Sequence, residues 1–296
     1  MWVYTGSNHP DVLQDVALRT ELLNFAREQT IGELFVNVQM SCSESPEVSC
    51  RVRPRDEDAL RDFLAAAHEA KLRVHAMRGG VGQRPAVPIW GSAELALEEH
   101  HPKVVAMIQA LLEFNAAGAE RFDGIHLDIE PYTLREYDDG DVEAKRAIIL
   151  QFLSLIEPIA QALAAEQVPF SLAVGPGWHG YEPEPDLRLE FRGEVKYPTM
   201  HLLDMVKRIA LMVYLNDPVR LIDKTRPVIE YAKLPEVAAA VSLGVQTCPG
   251  RPGTFGNGTR SQMEQDLCQA HREFEACDSF FGFSYFNSTC YRAMEP

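Results

Sequence analysis

The sequence is short of positive charge. Its 296 residues carry 28 Lys and Arg against 43 Asp and Glu, a formal net charge of -15. Nucleic-acid phosphates and anionic membrane surfaces both require a basic footprint, so neither partner fits, whereas a neutral ligand does. Long apolar runs are scarce as well, and the longest read as too short to span a bilayer. No CxxC pair occurs, which argues against a zinc knuckle. No GxGxxG follows the first apolar run, where a doubly wound nucleotide-binding sheet carries its phosphate loop. No HExxH occurs either, and no cofactor is implied. No signal peptide is read as numbered, yet Met1 leads straight into the strand-like WVYTG with no overhang before it, which leaves room for a removed leader. Location therefore stays open between a secreted or periplasmic protein whose leader was removed and a cytoplasmic one.

Six cysteines are present, Cys42, Cys50, Cys248, Cys268, Cys277 and Cys290. Cys42 and Cys50 share one loop and could be bridged. Cys248 and Cys290 could meet if their strands are neighbours. The alternative is that all are free buried thiols, so the redox compartment is not set.

Hydrophobic residues make up 46% of the chain, enough for a large core. Short apolar runs at Trp2–Thr5, Leu34–Gln39, Leu72–Met77, Gly124–Glu130, Phe170–Val174, Ile209–Tyr214, Ala240–Gln246 and Phe280–Phe286 read as eight strands. Helix-compatible apolar spacing fills Asp15–Glu28, Glu57–Ala70, Pro102–Ala117, Val142–Glu166, Val219–Lys233 and Ser261–Glu275. Only Gly175–Pro198 is irregular, followed by at most a short helix around Met200–Val206. Eight strands alternating with about eight helices in this length predict an α/β protein, a single-domain (β/α)8 TIM barrel over residues 1–296.

The fourth strand carries the sharpest signal. In FDGIHLDIEPY, Phe122 to Tyr132, Ile125, Leu127 and Ile129 alternate with His126, Asp128 and Glu130. If the aliphatic set packs under helices, the His, the Asp and the Glu share the lumen face, with neighbours roughly 6–7 Å apart. Ionisable groups in a lumen are costly unless paired or used, and barrel enzymes do chemistry at the C-terminal ends of their strands. A half-exposed antiparallel strand would give the same alternation, but it fits the βαβα context poorly. Further candidates recur at strand ends. These are Asn37 on the second strand, His75 on the third, Trp178 and His179 after the fifth, and Met212, Tyr214 and Asn216 on the sixth. Gln246 ends the seventh, and Tyr285 and Phe286 end the eighth. Aromatic faces with amides and a carboxylic acid suit a sugar ring, whose C–H face stacks and whose hydroxyls hydrogen-bond.

DGIHLDIE, Asp123 to Glu130, resembles the DGxDxDxE motif on the fourth strand of glycoside hydrolase family 18, the chitinase-like enzymes. Met212-Val213-Tyr214 resembles that family's Met-x-Tyr-Asp, and Phe281-Gly282 through Phe286 resembles its last strand. The resemblance implies that Glu130 protonates the glycosidic oxygen. It implies that Asp128 orients the substrate's own acetamido group, and that Tyr214 hydrogen-bonds the acetamido carbonyl. Retention would then be substrate-assisted on a glycan containing N-acetylhexosamine. Two carboxyls on one strand face also repel, so one pKa should rise, which suits a proton donor. The departures point to a divergent branch. His126 stands at the first motif Asp, Leu215 at the Asp after the strand-six Tyr, and Phe286 or Tyr285 at the floor Trp. A protonated His126 would hold Asp128 ionised, whereas a neutral one could donate a single hydrogen bond.

Three functions are weighed on these residues. The first is a glycoside hydrolase and the second a sugar-binding barrel without turnover. The third is a metal-dependent hydrolase that uses His75, His126, Asp128 and His179 as ligands. Sugar, linkage, endo or exo action and oligomeric state are not set by the sequence.

Overall fold

The computed structural model describes residues 1–5, 9–45, 48–79, 93–175, 177–180 and 186–296. Eight strands, β1 (Trp2–Val3), β2 (Glu33–Asn37), β5 (Arg73–Gly79), β6 (Gly124–Asp128), β7 (Phe170–Val174), β10 (Arg208–Met212), β11 (Ala240–Gln246) and β12 (Phe280–Phe286), form one parallel sheet in that order. The sheet curls until Trp2 of β1 meets Phe286 of β12 edge to face at 6.1 Å, which nearly closes a barrel. Two antiparallel hairpins are inserted, β3 (Met40–Ser45) with β4 (Val48–Pro54) and β8 (Leu189–Phe191) with β9 (Glu194–Lys196). The second hairpin lies inside the segment read as irregular; its three-residue strands are too short to show an alternation.

The helices are α1 (Val16–Glu28), α2 (Glu57–Glu69), α3 (His101–Ala116), α4 (Arg135–Asp138), α5 (Val142–Ala165), α6 (Pro198–Met205), α7 (Pro218–Ala232), α8 (Arg260–Phe274) and α9 (Ser288–Ala293). Five of them start where a short polar side chain satisfies an otherwise orphaned N–H. Asp15 accepts from Ala17 and Leu18, Asp141 from Ala144, Asp217 from Val219 and Arg220, Thr259 from Gln262, and Asn287 from Cys290. By length and composition α5 could cross a membrane, contrary to the expectation that no run is long enough, yet half of its most apolar stretch is buried inside the fold. The reason is its role as a core helix: Ile149, Phe152, Leu153 and Ile156 are all fully covered.

The strands sort their side chains by alternation. Leu34, Val36, Val74, Ile125, Leu127, Leu172, Ile209, Leu211, Val241 and Leu243 face outward into the large core beneath the helices. Each such buried aliphatic side chain contributes roughly 1.5–3 kcal/mol. Trp2, Phe35, Met77, Ala173, Ala210 and Met212 form a second, separate cluster inside the barrel.

The N-terminal end of the lumen is closed by charge. The Glu33 carboxylate, buried at 7% exposure, accepts from Arg208 through both oxygens and forms an ion pair with Arg73 Nη2 at 2.6 Å, with His75 Nε2 at 3.9 Å. Arg208 also lies over the Phe281 ring at 4.0 Å.

Cys248 and Cys290 form a disulfide, one of the alternatives the spacing left open, while Cys268 and Cys277 are free and partly buried. The Cys42–Cys50 pairing falls on side chains outside the described residues. Replacing Cys290 with Ser opens a loop of sequence separation 42 and is expected to cost about 2–4 kcal/mol. A lowered urea midpoint under oxidising conditions, with no difference between the two proteins once both are reduced, checks this.

Candidate active site

The DGIHLDIE motif does several jobs along one strand. The Asp123 carboxylate accepts from the Val74 N–H at 2.7 Å and contacts His68 Nε2 at 3.1 Å, fastening β6 to the start of β5 outside the lumen. Gly124 makes room for His75, since a Cβ there would stand 2.5 Å from His75 Nδ1. His126 is wholly buried in the lumen. Its ring stacks on Phe35 at 4.0 Å and 10°, and its Nδ1 pairs with Ser171 Oγ at 2.8 Å. Burial drives its pKa well below the ordinary value, so the imidazole is neutral.

Above His126, Asp128 and Glu130 form a pair. Asp128 is 1% exposed and Glu130 8%. Both pKa values are raised, for Asp128 by burial and then by the Glu130 charge, and for Glu130 by burial against the opposing pull of Tyr132 and Asp128. Each carboxyl lies in the field of the other, so the two titrate as a pair. The Tyr4 hydroxyl donates to Asp128 Oδ2 at 3.4 Å, while Asp128 Oδ1 has no partner among the described residues. Tyr214 and Tyr132 lie in the field of the same two carboxylates, which raises the pKa of each phenol further after burial. Phe286 packs edge-on to Tyr4 at 5.6 Å and tilted to Tyr214 at 5.9 Å, and Met212 is buried in the same lumen cluster.

Tyr214 is set in the left-handed region at φ 45° just past the end of β10, a strained conformation for a residue with a Cβ. The loop after β11 seats it. Gly253, itself at φ 66°, lies so close that a Cβ there would meet the Tyr214 carbonyl oxygen. The same loop is braced by the Cys248–Cys290 bridge and by Gln246, whose Oε1 accepts from the Cys248 N–H at 2.9 Å.

The structure therefore brings together Asp128, Glu130, Tyr214, Met212 and Phe286. Two further members, Tyr4 and Tyr132, escaped the sequence reading. Tyr4 carried a signal, since it follows the lumen-facing Trp2 by two residues, whereas Tyr132 lies in the 3-10 turn Pro131–Thr133, where alternation gives no direction.

Other expected residues stand elsewhere. His126 lies beneath the site, fully enclosed, and cannot reach a ligand at the mouth. His75 is paired with Gly124, whereas Gly79 is paired with Asp128, so His75 sits roughly 13 Å deeper, on the barrel floor. Burial holds it neutral, with a pKa of about 4. Trp178 is 2% exposed; its indole N–H donates to Tyr137 Oη at 3.0 Å and its ring packs on Phe152. His179 is buried near Lys224 of α7, with its pKa lowered to about 4 by burial and then by that charge. Tyr285 faces outward and stacks on Tyr291 at 4.4 Å, as alternation from Phe286 demands. Asn216 lies beyond the strand and donates to the Thr254 carbonyl at 3.2 Å, and Gln246 is occupied with its loop. Asn37 lies on the lumen face of β2, with its Oδ1 buried and unpaired among the described residues. The histidines and Asp128 do not gather, and no group of three or more His, Cys, Asp or Glu able to hold a metal occurs among the described residues.

The sequence matches no family model and none of the curated proteins. Solved structures do match. A putative chitinase C-terminal domain from Desulfitobacterium hafniense DCB-2 superposes at TM-score 0.53 and 16% identity, over 83% of this chain and 66% of that one. A chitinase from Rhizomucor miehei gives 0.52 and 12%, over 88% and 89%. The spore cortex-lytic enzyme SleL of Bacillus megaterium QM B1551 gives 0.50 and 14%, over 98% and 70%. The fold is chitinase-like. The chain spans about two thirds of the length of the Desulfitobacterium domain.

A stability prediction follows from the pair in this chitinase-like barrel. Because the native Asp128 pKa is raised above its unfolded value, the native state binds more protons than the unfolded one across that window. Stability then falls as pH rises from the ordinary carboxylate range towards the raised value. Asp128→Asn removes the Asp128 share of that slope and leaves the part that Glu130 contributes. It is expected to be more stable than wild type at neutral pH, because the amide carries no charge to bury. Thermal melts from pH 4 to pH 8 check this, and equal slopes in both proteins contradict it.

Proposed function

We propose that the protein is a retaining glycoside hydrolase acting on a glycan that contains N-acetylhexosamine. The observation that carries this reading is the buried Asp128–Glu130 pair ringed by Tyr4, Tyr132, Tyr214 and Phe286 at the C-terminal end of the barrel. Glu130, the more exposed of the two, is the general acid. It gives its proton to the glycosidic oxygen as the bond to the anomeric carbon breaks. The substrate's acetamido carbonyl oxygen attacks that carbon from the other side and forms a cyclic oxazolinium ion. Asp128 accepts the acetamido N–H and offsets the developing positive charge, and the Tyr214 hydroxyl donates to the acetamido oxygen. Water then opens the ring, giving up a proton to the Glu130 carboxylate, which restores the starting state. The aromatic rings offer the apolar faces that a pyranose stacks on.

A specific observation favours a second reading, a sugar-binding barrel without turnover. The motif position beneath Asp128 is a neutral His126 committed to Ser171, so Asp128 lacks an acidic neighbour below it to share its proton. A hydrolysis screen on aryl glycosides with and without the 2-acetamido group, run for wild type and Glu130→Gln, tests the first reading. Cleavage confined to the acetamido sugars and lost in the variant supports it. Sugar binding with no cleavage by either protein supports the second reading.

A further inference from the structure

We propose that Tyr132 is a positioning residue for Glu130. Its ring is clamped between Gly175 and Trp178, so that its hydroxyl holds the Glu130 carboxyl against Asp128. The backbone fixes the starting point. The turn after Glu130 folds back so that the Glu130 carbonyl accepts from the Thr133 N–H at 3.0 Å and from Thr133 Oγ1 at 2.8 Å, with Pro131 and Tyr132 between them. Tyr132 is the middle residue of the single 3-10 turn Pro131–Thr133, which carries its ring over the end of β7.

The ring then has one place to go. Gly175, just past the end of β7, leaves the space it fills: a Cβ there would stand 2.1 Å from Tyr132 Cε1, 2.6 Å from Cδ1 and 2.8 Å from Cζ. On another side the ring meets Trp178 edge to face at 6.1 Å and 90°. Trp178 is itself immobilised, buried against Phe152 and hydrogen-bonded to Tyr137. The clamp thus accounts for a residue that sequence reasoning placed in the ligand site. Trp178 acts from behind, through Tyr132, and Tyr132 packs on both the lumen cluster and the outer core. So seated, its hydroxyl interacts with the Glu130 carboxyl, which favours the charged form against burial.

The titratable groups facing Glu130 are Asp128 at the end of β6, Tyr4 just past β1, Tyr214 just past β10, and Tyr132. Asp128, Tyr4 and Tyr214 are unchanged in Tyr132→Phe, which keeps the ring in its clamp and removes only the hydroxyl. With that donor gone, the carboxylate of Glu130 loses stabilisation and its proton affinity rises.

The catalytic meaning of this device rests on the proposed hydrolase reading, but the test does not need turnover. The Glu130 carboxyl is titrated by carbon NMR on side-chain-labelled protein, with Glu130→Gln assigning the signal. Tyr132→Phe is expected to move the Glu130 midpoint up by about one pH unit, a tenfold gain in proton affinity. Gly175→Ala, which displaces the ring but keeps its hydroxyl group, is expected to move it the same way. A folded Tyr132→Phe protein whose Glu130 titrates as in wild type overturns the inference. A shifted titration in a protein that cleaves no sugar supports the inference and counts against the hydrolase reading alone.

Discussion

Glu130→Gln is expected to keep the fold and sugar binding while losing turnover by about 10²–10⁴-fold, the usual contribution of a positioned proton donor. The amide matches the acid in shape and still accepts hydrogen bonds, but it carries no transferable proton. The companion result concerns pH. Burial raises the Glu130 pKa above the ordinary 4.5, while Tyr132 and Asp128 restrain the rise. The acid must be protonated to act, so the rate falls as pH rises through that raised value. The alkaline limb of kcat/KM should therefore report an apparent pKa above 4.5 that belongs to the Asp128–Glu130 pair rather than to one residue. A rate flat from acid to mildly alkaline pH, or a Glu130→Gln protein as active as wild type, removes Glu130 from the role.

Glu33→Ala should be the most damaging single change to stability, at about 3–5 kcal/mol, because it removes one side of a buried ion pair and leaves its partners uncompensated. Burial alone would raise the Glu33 pKa, but Arg208, His75 and Arg73 outweigh it and hold the carboxyl below its ordinary value. Its stabilising contribution is therefore present above the unfolded carboxylate pKa and is lost as pH falls through the lower native one. Arg208, only 19% exposed, would keep the Phe281 ring but no anion at this floor. Urea unfolding at neutral pH measures the loss. The gap between Glu33→Ala and wild type should narrow at low pH, where the wild-type carboxyl is protonated too. A variant within 1 kcal/mol of wild type at neutral pH would show that the floor network contributes far less than a buried pair should.

Much of this architecture was legible because alternation and helical spacing are local. Ile125, Leu127 and Ile129 fixed which face of the central strand goes under helices, and His126, Asp128 and Glu130 were left for the lumen. The same logic reaches Tyr4, one residue past β1 and two after the inward-facing Trp2, but not Tyr132, which lies in the 3-10 turn after β6. It would also have turned Tyr285 outward, since Phe286 points in. Other errors had a different source. His75 lies on the lumen face as expected, but its depth is set by strand register, and no single strand contains its own register. Trp178, His179 and Asn216 lie beyond the last residues of their strands, where alternation no longer constrains direction.

The sequence by itself determined the barrel, the faces of its strands and the presence of two acids on one lumen face, because each of these depends on residues within a few positions of one another. Tertiary structure decided which aromatic rings those acids meet, how deep each histidine sits, and that His126 bonds Ser171 and not Asp128. Those outcomes depend on the stagger between strands and on which helix or loop covers each end, and both are set by packing across the whole barrel.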